Sequence, residues 1–161
     1  MRIPNTFVAL CLLFSMAAFA QSPVAGPPAK SAPSYDAALA KAVGADENGM
    51  RSFVFVLLKT STTPVPKGPE RDAMFAGHFA NIERLAAEGK LAIAGPMDGV
   101  DGWRGMFIFA VATIEEAKKL VATDPVIVKG EMVAEYHALF ASAALMRIND
   151  LHKSIISPSA R

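Results

Sequence analysis

Cysteine is almost absent from this sequence. Cys11 is the only one, and it lies in an apolar run near the N-terminus. If that run is removed, the remaining chain can form no disulfide, thiolate nucleophile or cysteine-bound zinc site. Histidine is scarce too, and no paired histidines or carboxylates at ligand spacing surround His78. We therefore expect no bound metal, and nothing in the sequence indicates a cofactor.

An excess of charge of either sign is also missing. The chain has 16 basic and 15 acidic residues, and it contains no basic run or arginine stripe. These features make nucleic acid an unfavoured partner. Beyond the first twenty residues there is no second long apolar segment, so we predict no stable membrane insertion of the mature chain.

Residues 1–20 have the pattern of a secretory signal peptide. Arg2 precedes an apolar run at 7–19, and the run closes on the small-residue motif Ala18-Phe19-Ala20. This pattern predicts cleavage after Ala20 and a periplasmic or secreted protein. Lipidation of Cys11 is not expected, because bulky Leu10 stands where such signals need a small residue.

The rest of the chain divides into three parts. Residues 21–50 form a linker rich in proline and alanine that contains a short helix beginning near Ser34. Residues 51–142 form an α+β domain, and residues 143–161 form a helical tail. Within the domain, the hydrophobic pattern predicts strands at 52–60, 91–94, 106–112 and 130–142, and helices at 70–88 and 113–124.

This order, β-α-β-β-α-β, predicts a ferredoxin-like antiparallel sheet with both helices on one face. The first and third strands are apolar on both faces, so the second face must also be covered. A second copy of the chain would cover it by burying roughly 800 Å² per partner, which predicts a homodimer. Alternatively, the helical tail folds back over that face.

The predicted topology gathers polar residues at one edge of the sheet, namely Lys59, Arg71, His78, Asp98 and Asp124. His78 lies beside an apolar stripe on the first helix, and Asp124 projects from the end of the second helix toward it. A carboxylate beside a histidine fixes the ring's tautomer, and such a pair can move a proton at neutral pH. We therefore predict His78 and Asp124 as the catalytic pair, with Arg71, Lys59 and Asp98 binding a small ligand.

Structural explanations of the same residues remain open. A histidine on an apolar helix edge is commonly a packed structural residue. Asp124-Pro125 is an ordinary helix-ending turn, and Asp98-Gly99 is an ordinary turn signal. His137 and His152 have no evident polar partner nearby in sequence and are expected to be structural or exposed.

Two segments together resemble the YCII-related domain. They are the run from His78 through Gly89-Lys-Leu and Ala94-Gly-Pro, and the capped helix that ends in Asp124-Pro125. The resemblance spans 52–140 and implies a ferredoxin-like fold that dimerises into an α+β barrel. It also implies a His/Asp active site, in which the histidine maps to His78 and the aspartate to Asp124, with Asp98 as the alternative.

Some members of that family are lyase-like enzymes that act on small cyclic or aromatic compounds. The resemblance therefore implies a small-molecule enzyme of lyase or isomerase type, with an unknown ligand. The alternative is a non-catalytic exported module that binds a small molecule or serves only as a structural dimer. The chain departs from the family pattern in its signal peptide, linker and tail, and in Val126-Ile127, where an aromatic residue is common.

Overall fold

The structure, a computed structural model, describes residues 34–160. The signal peptide at 1–20, its cleavage after Ala20 and the linker residues 21–33 lie outside the described residues and stay predictions. None of the helices in the described part of the chain has the length and apolar character needed to cross a membrane.

A four-stranded antiparallel sheet forms the centre of the domain. Its strands are β1 (Met50–Thr60), β2 (Leu91–Pro96), β3 (Trp103–Phe109) and β4 (Met132–Ser142), in the spatial order β2-β3-β1-β4. The helices are α1 (Ala37–Val43), α2 (Pro69–Ala87), α3 (Ile114–Val121), α4 (Pro125–Val128) and α5 (Ile148–Ile155). The predicted α+β, ferredoxin-like arrangement is confirmed.

Helices α2 to α4 cover one face of the sheet. Alternate residues of β1 (Val54, Val56 and Leu58) form the core of this face together with side chains from the helices. A capping box begins α3, because the Thr113 hydroxyl accepts from the Glu116 amide and the Glu116 carboxylate accepts from the Thr113 amide. This core holds α2 next to the segment that follows α3.

The chain after β4 packs on part of the opposite face. Leu145 and Met146, in a 3-10 turn at Ala143–Arg147, contact the cluster built around Phe53 and Ile108. In addition, the Asn149 side chain donates to a backbone carbonyl of β2 at 2.8 Å. The tail therefore packs on one end of this face only, and Leu151 and Ile155 of its helix are exposed. The complete cover of the alternative prediction is not observed.

Helix α1 belongs to the same compact unit as the sheet. Its N-cap is Asp36, whose carboxylate accepts from the Leu39 amide at 2.9 Å, so the helix begins slightly later than the predicted start near Ser34. At its other end Val43 is buried, and the Arg51 guanidinium of β1 donates to the Val43 carbonyl at 2.8 Å. The short helix is thus attached to the domain.

Two of the element boundaries that differ from the sequence prediction lie beside the candidate site. Strand β2 continues through Gly95 to Pro96, because the missing amide of a proline is tolerated at a sheet edge. Strand β3 begins at Trp103, earlier than the predicted start at residue 106, because the glycine-rich segment 99–105 turns within only its first residues. Both changes extend the sheet toward the candidate site.

Candidate active site

The face of α2 that packs on the sheet carries a histidine near its centre. The buried residues of α2 are Met74, His78, Asn81 and Leu85, spaced three or four positions apart. The predicted apolar stripe is therefore displaced by about one position, and Phe79 within it is 59% exposed. Polar residues occupy the buried face because the segment after α3 supplies their hydrogen-bond partners.

Asp124 lies in that segment, between α3 and α4. Because a residue before proline disfavours the helical region, the backbone at Asp124 is extended, and a new short helix starts at Pro125. Asp124 caps this helix: its Oδ1 accepts from the Val126 amide at 3.1 Å. The side chain is fully buried.

His78 and Asp124 are in direct contact. His78 Nδ1 lies 2.9 Å from Oδ1 and 2.8 Å from Oδ2 of Asp124. Since an ionised carboxylate can only accept, this contact places the ring proton on Nδ1. Asp98, the other candidate partner, is exposed and accepts from the Val100 amide instead. The alternative assignment of Asp98 as the partner of His78 is therefore wrong.

A glycine allows this close approach of α2 to the Asp-Pro turn. Gly77 precedes His78, and a Cβ added to it would lie 3.0 Å from Cγ of the Pro125 ring. That separation is shorter than carbon atoms adopt at an optimal contact. A side chain at position 77 would therefore push α2 away from the Asp124 carboxylate, which His78 binds.

A cavity of about 530 Å³ opens beside the His78 ring. It lies between α2 and the ends of β1, β2 and β3, and its larger apolar side chains include Leu58, Phe75, Phe79, Ile82, Phe107 and Met132. Among the described residues, His78 and Arg104 are the polar side chains that line it. The volume falls within the range typical of small-molecule sites.

The second ring nitrogen of His78 faces this cavity. Within residues 34–160, no group is hydrogen-bonded to Nε2. Every buried side-chain nitrogen or oxygen in this part of the chain does have a partner, so Nε2 is not a buried atom. Nε2 is therefore accessible, and the cavity is the space that His78 lines. The rings of Phe79 and Phe107 lie next to the imidazole, with centroids 5.4 and 6.1 Å from that of His78.

A second polar cluster lies at the edge of the cavity. The carboxylate of Glu131, fully buried just before β4, accepts from the Arg71 guanidinium, from the Val65 amide at 2.9 Å and from Arg104 Nη1 at 3.5 Å. Burial by itself raises the pKa of Glu131, but the hydrogen bonds from Arg71 and Val65 outweigh it, and the pKa is lowered from its ordinary value. Glu131 is therefore an ionised carboxylate between two cations.

Arg104 reaches this cluster because of an irregularity in β3. Leu58 pairs with Gly105, but Lys59 pairs with Trp103, so Arg104 is an extra residue in the pairing. A bulge of this kind re-aims a side chain. Sequence reasoning missed Arg104 and Glu131, and the available signal was weak: an arginine in the glycine-flanked segment 102–105 and a carboxylate directly after Gly130.

The comparison with known families agrees with this fold. The model of the YCII-related domain matches residues 53–138 of the chain. The chain belongs to the YCII-related domain family. A comparison with curated proteins found no match.

One similar solved structure is a 5-chloro-2-hydroxyhydroquinone dehydrochlorinase from Burkholderia phenoliruptrix AC1100, in complex with 2,5-dihydroxybenzoquinone. It is 22% identical to this chain and superimposes with a TM-score of 0.38. The match covers 52% of this chain and 90% of that one.

In this YCII-related domain, none of the three residues predicted to bind a ligand lines the cavity. Arg71 is bound to Glu131 and stacks on the ring of Phe75, with its guanidinium carbon 4.8 Å from the centroid. Lys59 pairs with Glu135 at 3.4 Å on the face of the sheet away from α2, because its position in β1 alternates with that of Leu58. Asp98 lies in the exposed turn after β2.

The remaining polar groups of the YCII-related domain form no metal site. Within residues 34–160, no three histidine, cysteine or acidic side chains come close enough together to hold a metal ion. His137 is exposed, as predicted, but it does have a polar partner nearby in sequence: its Nε2 lies 2.9 Å from Glu135 two residues away in β4. It therefore contacts a carboxylate on the sheet face away from the cavity.

Proposed function

We propose that this protein is an enzyme acting on a small organic molecule, of the lyase or isomerase type, with His78 as its acid/base. The observation that carries the proposal is the contact of His78 with buried Asp124 beside an apolar cavity. The volume of the cavity is in the range of sites that bind small organic molecules. Membership of the YCII-related family supports the same class of function.

In this mechanism, Nε2 of His78 takes a proton from a carbon of the bound molecule. An isomerase would return that proton to a different carbon, whereas a lyase would pass it to the departing group as the double bond forms. Both reactions balance within one substrate, because the proton and the electron pair move without an external oxidant or reductant. A general acid/base of this kind contributes roughly 10²–10⁴-fold in rate.

Asp124 acts through His78 and is a positioning residue. Its two oxygens hold Nδ1–H, which leaves Nε2 unprotonated and aimed at the cavity. As Nε2 gains a proton, the charge that develops on the ring lies next to a buried carboxylate, which stabilises it.

Proton exchange with solvent tests the proposal before the substrate is known. The protein would be incubated in D₂O with a panel of cyclic ketones and lactones, and deuterium uptake at carbon would be followed by mass spectrometry. We expect uptake with some panel members and a decrease of about 100-fold or more in His78→Ala. His137→Ala is the matched control, because His137 also contacts a carboxylate but lies on the sheet face away from the cavity.

Equal deuterium uptake in His78→Ala and the unmodified protein would end the proposal. Thermal stabilisation by panel members without exchange or product formation would favour the alternative, a non-catalytic binding module. The same panel therefore separates the two functions.

We further propose that the protein works as a homodimer that buries the sheet face opposite α2. The tail covers only one end of that face, and Phe55 and Leu139 remain partly exposed on it. Sedimentation at micromolar concentration tests this: we expect a dimer, and a monomer for Leu139→Glu. Ala138→Glu, the neighbouring position on the other side of β4, should leave the dimer intact. A monomeric unmodified protein would contradict the proposal.

Export to the periplasm or the medium completes the proposed function, and it rests on the sequence of residues 1–20. N-terminal sequencing of the protein recovered outside the cytoplasm should begin at Gln21. Recovery of the uncleaved chain from the cytoplasm would contradict export.

A further inference from the structure

We propose that Arg104 is the anion-binding group of the cavity, and that the ligand of this site is a small carboxylate with an apolar body. This inference deepens the proposed function and rests on it for the identity of the site. It reassigns ligand binding from Arg71, Lys59 and Asp98 to a residue that the sequence did not indicate.

Arg104 stands where a ligand in the cavity can reach it. It is the one cation among the described side chains that line the cavity, and it reaches that position through the irregular pairing of β3 with β1. Bulges occur preferentially next to active sites, where they redirect a side chain. An ordinary strand register would have placed residue 104 on the opposite face of the sheet.

Most of the N–H donors of Arg104 make no hydrogen bond to the described residues. Within residues 34–160, Glu131 is the only group to which its guanidinium is hydrogen-bonded, through one contact at the long distance of 3.5 Å. Arginine has five N–H donors in a planar fork that matches a carboxylate in two-point geometry. Arg104 therefore retains donors for a ligand while Glu131 holds its position.

The charges of Arg71, Arg104 and Glu131 do not cancel. Arg71 and Arg104 share the single carboxylate of Glu131, which leaves the cluster with a net charge of +1. Both arginine side chains are largely shielded, with 24% and 29% of their surface exposed, so one negative group on a ligand would complete the neutralisation in a poorly solvated place. No carboxylate side chain of the described residues lines the cavity to oppose such a ligand.

The charge of Arg104 contrasts with the rest of the cavity wall. Apart from His78, the side chains that surround Arg104 there are apolar and aromatic. One cationic anchor at the edge of an apolar wall selects a molecule with one anionic group and an apolar remainder. The anchor would also fix the orientation of that molecule against Nε2 of His78.

Matched pairs of ring compounds test this inference. Benzoate with benzamide, and cyclohexanecarboxylate with cyclohexanecarboxamide, differ in charge but little in shape. Dissociation constants would be measured at pH 7 by ligand-observed NMR titration of the purified protein. We expect each carboxylate to bind about tenfold or more tightly than its amide, which is the size of one charge-assisted hydrogen bond.

Substitution of Arg104 should remove this preference. In Arg104→Leu the two dissociation constants should become nearly equal, because the apolar wall remains while the charge is gone. Arg104→Lys should keep part of the preference, since a lysine is a point charge without the planar fork. Lys59→Leu is the matched control: it removes a cation beside the same irregular pairing, on the other face of the sheet, and it should leave the preference unchanged.

Three results would overturn the inference. They are equal binding of carboxylate and amide by the unmodified protein, a preference that survives in Arg104→Leu, and no binding of either carboxylate up to its solubility limit. Circular dichroism would show whether Arg104→Leu is folded, and Arg104→Gln, a smaller change in polarity, would replace it if it is not.

Failure of this inference can be told apart from failure of the proposed function. His78→Gln should lose proton exchange but keep the preference for carboxylates. A preference that depends on Arg104, without any exchange that depends on His78, would retain the anion site and reject the enzyme. The reverse result would retain the enzyme and reject the anion site.

Discussion

Replacement of Asp124 should destabilise the protein far more than replacement of another aspartate with the same local role. Asp124 and Asp98 each accept a backbone amide two residues ahead, and both hydrogen bonds measure 3.1 Å. Asp98 is exposed, whereas Asp124 is buried and also binds His78. The pair of alanine variants therefore isolates the effect of the histidine contact and its burial.

The magnitude follows from the groups left without partners. Loss of the cap on α4 costs about 1 kcal/mol, and leaving the buried Nδ1–H of His78 unsatisfied costs a further ~1–3 kcal/mol. We expect Asp124→Ala to lower the free energy of unfolding by about 2–4 kcal/mol. For a domain of this size, the melting temperature should fall by roughly 8–16 °C. Asp98→Ala should cost less than about 1 kcal/mol.

Urea unfolding at pH 7 is the assay, at a fixed protein concentration because self-association would shift the transition. Asp124→Asn keeps an acceptor of the same shape and should cost only about 1 kcal/mol. ¹⁵N NMR of the imidazole adds a readout that stability alone does not give: Nδ1 should be the protonated nitrogen in the unmodified protein and lose that preference in Asp124→Ala. A cost for Asp124→Ala equal to that of Asp98→Ala would refute the reasoning.

Three further predictions concern other parts of the fold. The pKa of Glu131 is lowered from its ordinary 4.5, so its stabilising effect is present above pH 4.5 and is lost as the pH falls further. Below that pH, the stability of the unmodified protein should therefore fall more steeply than that of Glu131→Gln, and a parallel fall of their melting temperatures would contradict this. Thr113→Ala removes the cap that pairs with Glu116 and should cost about 1 kcal/mol in urea unfolding, whereas an unchanged midpoint would argue against the capping box. Arg51→Met removes the hydrogen bond to Val43 and should speed amide hydrogen exchange throughout α1, with little change in the sheet. Unchanged exchange in α1 would show that other contacts attach this helix to the domain.

The sequence predicted the fold well because the signals were local and mutually consistent. The two-faced apolar pattern of residues 53–58 required cover on both sides, and the capping box at Thr113 located the start of α3. The proximity of His78 and Asp124 followed from topology, since the ends of β1 and β2 and the helix termini share one edge. Whether that pair is catalytic remains a prediction.

The sequence could not locate Arg104 or Glu131 in the site, for a physical reason. Alternation along a strand assigns each residue to a face, and one extra residue in the pairing reverses that assignment for its neighbours. The sequence prediction includes Lys59 in the site because it stands at the end of the first strand, on the edge shared with the helix termini. The side chain instead follows the alternation of β1 onto the other face.

The close packing of Gly77 against Pro125 links two distant positions in any variant of this chain. A larger residue at 77 would need a smaller one at 125. Loss of Pro125, however, would remove the restriction that keeps Asp124 out of the helical region. Helix α3 could then run on and carry the carboxylate away from His78. The same contact therefore constrains both positions, and a library that randomises either one alone should recover mainly the present residue there.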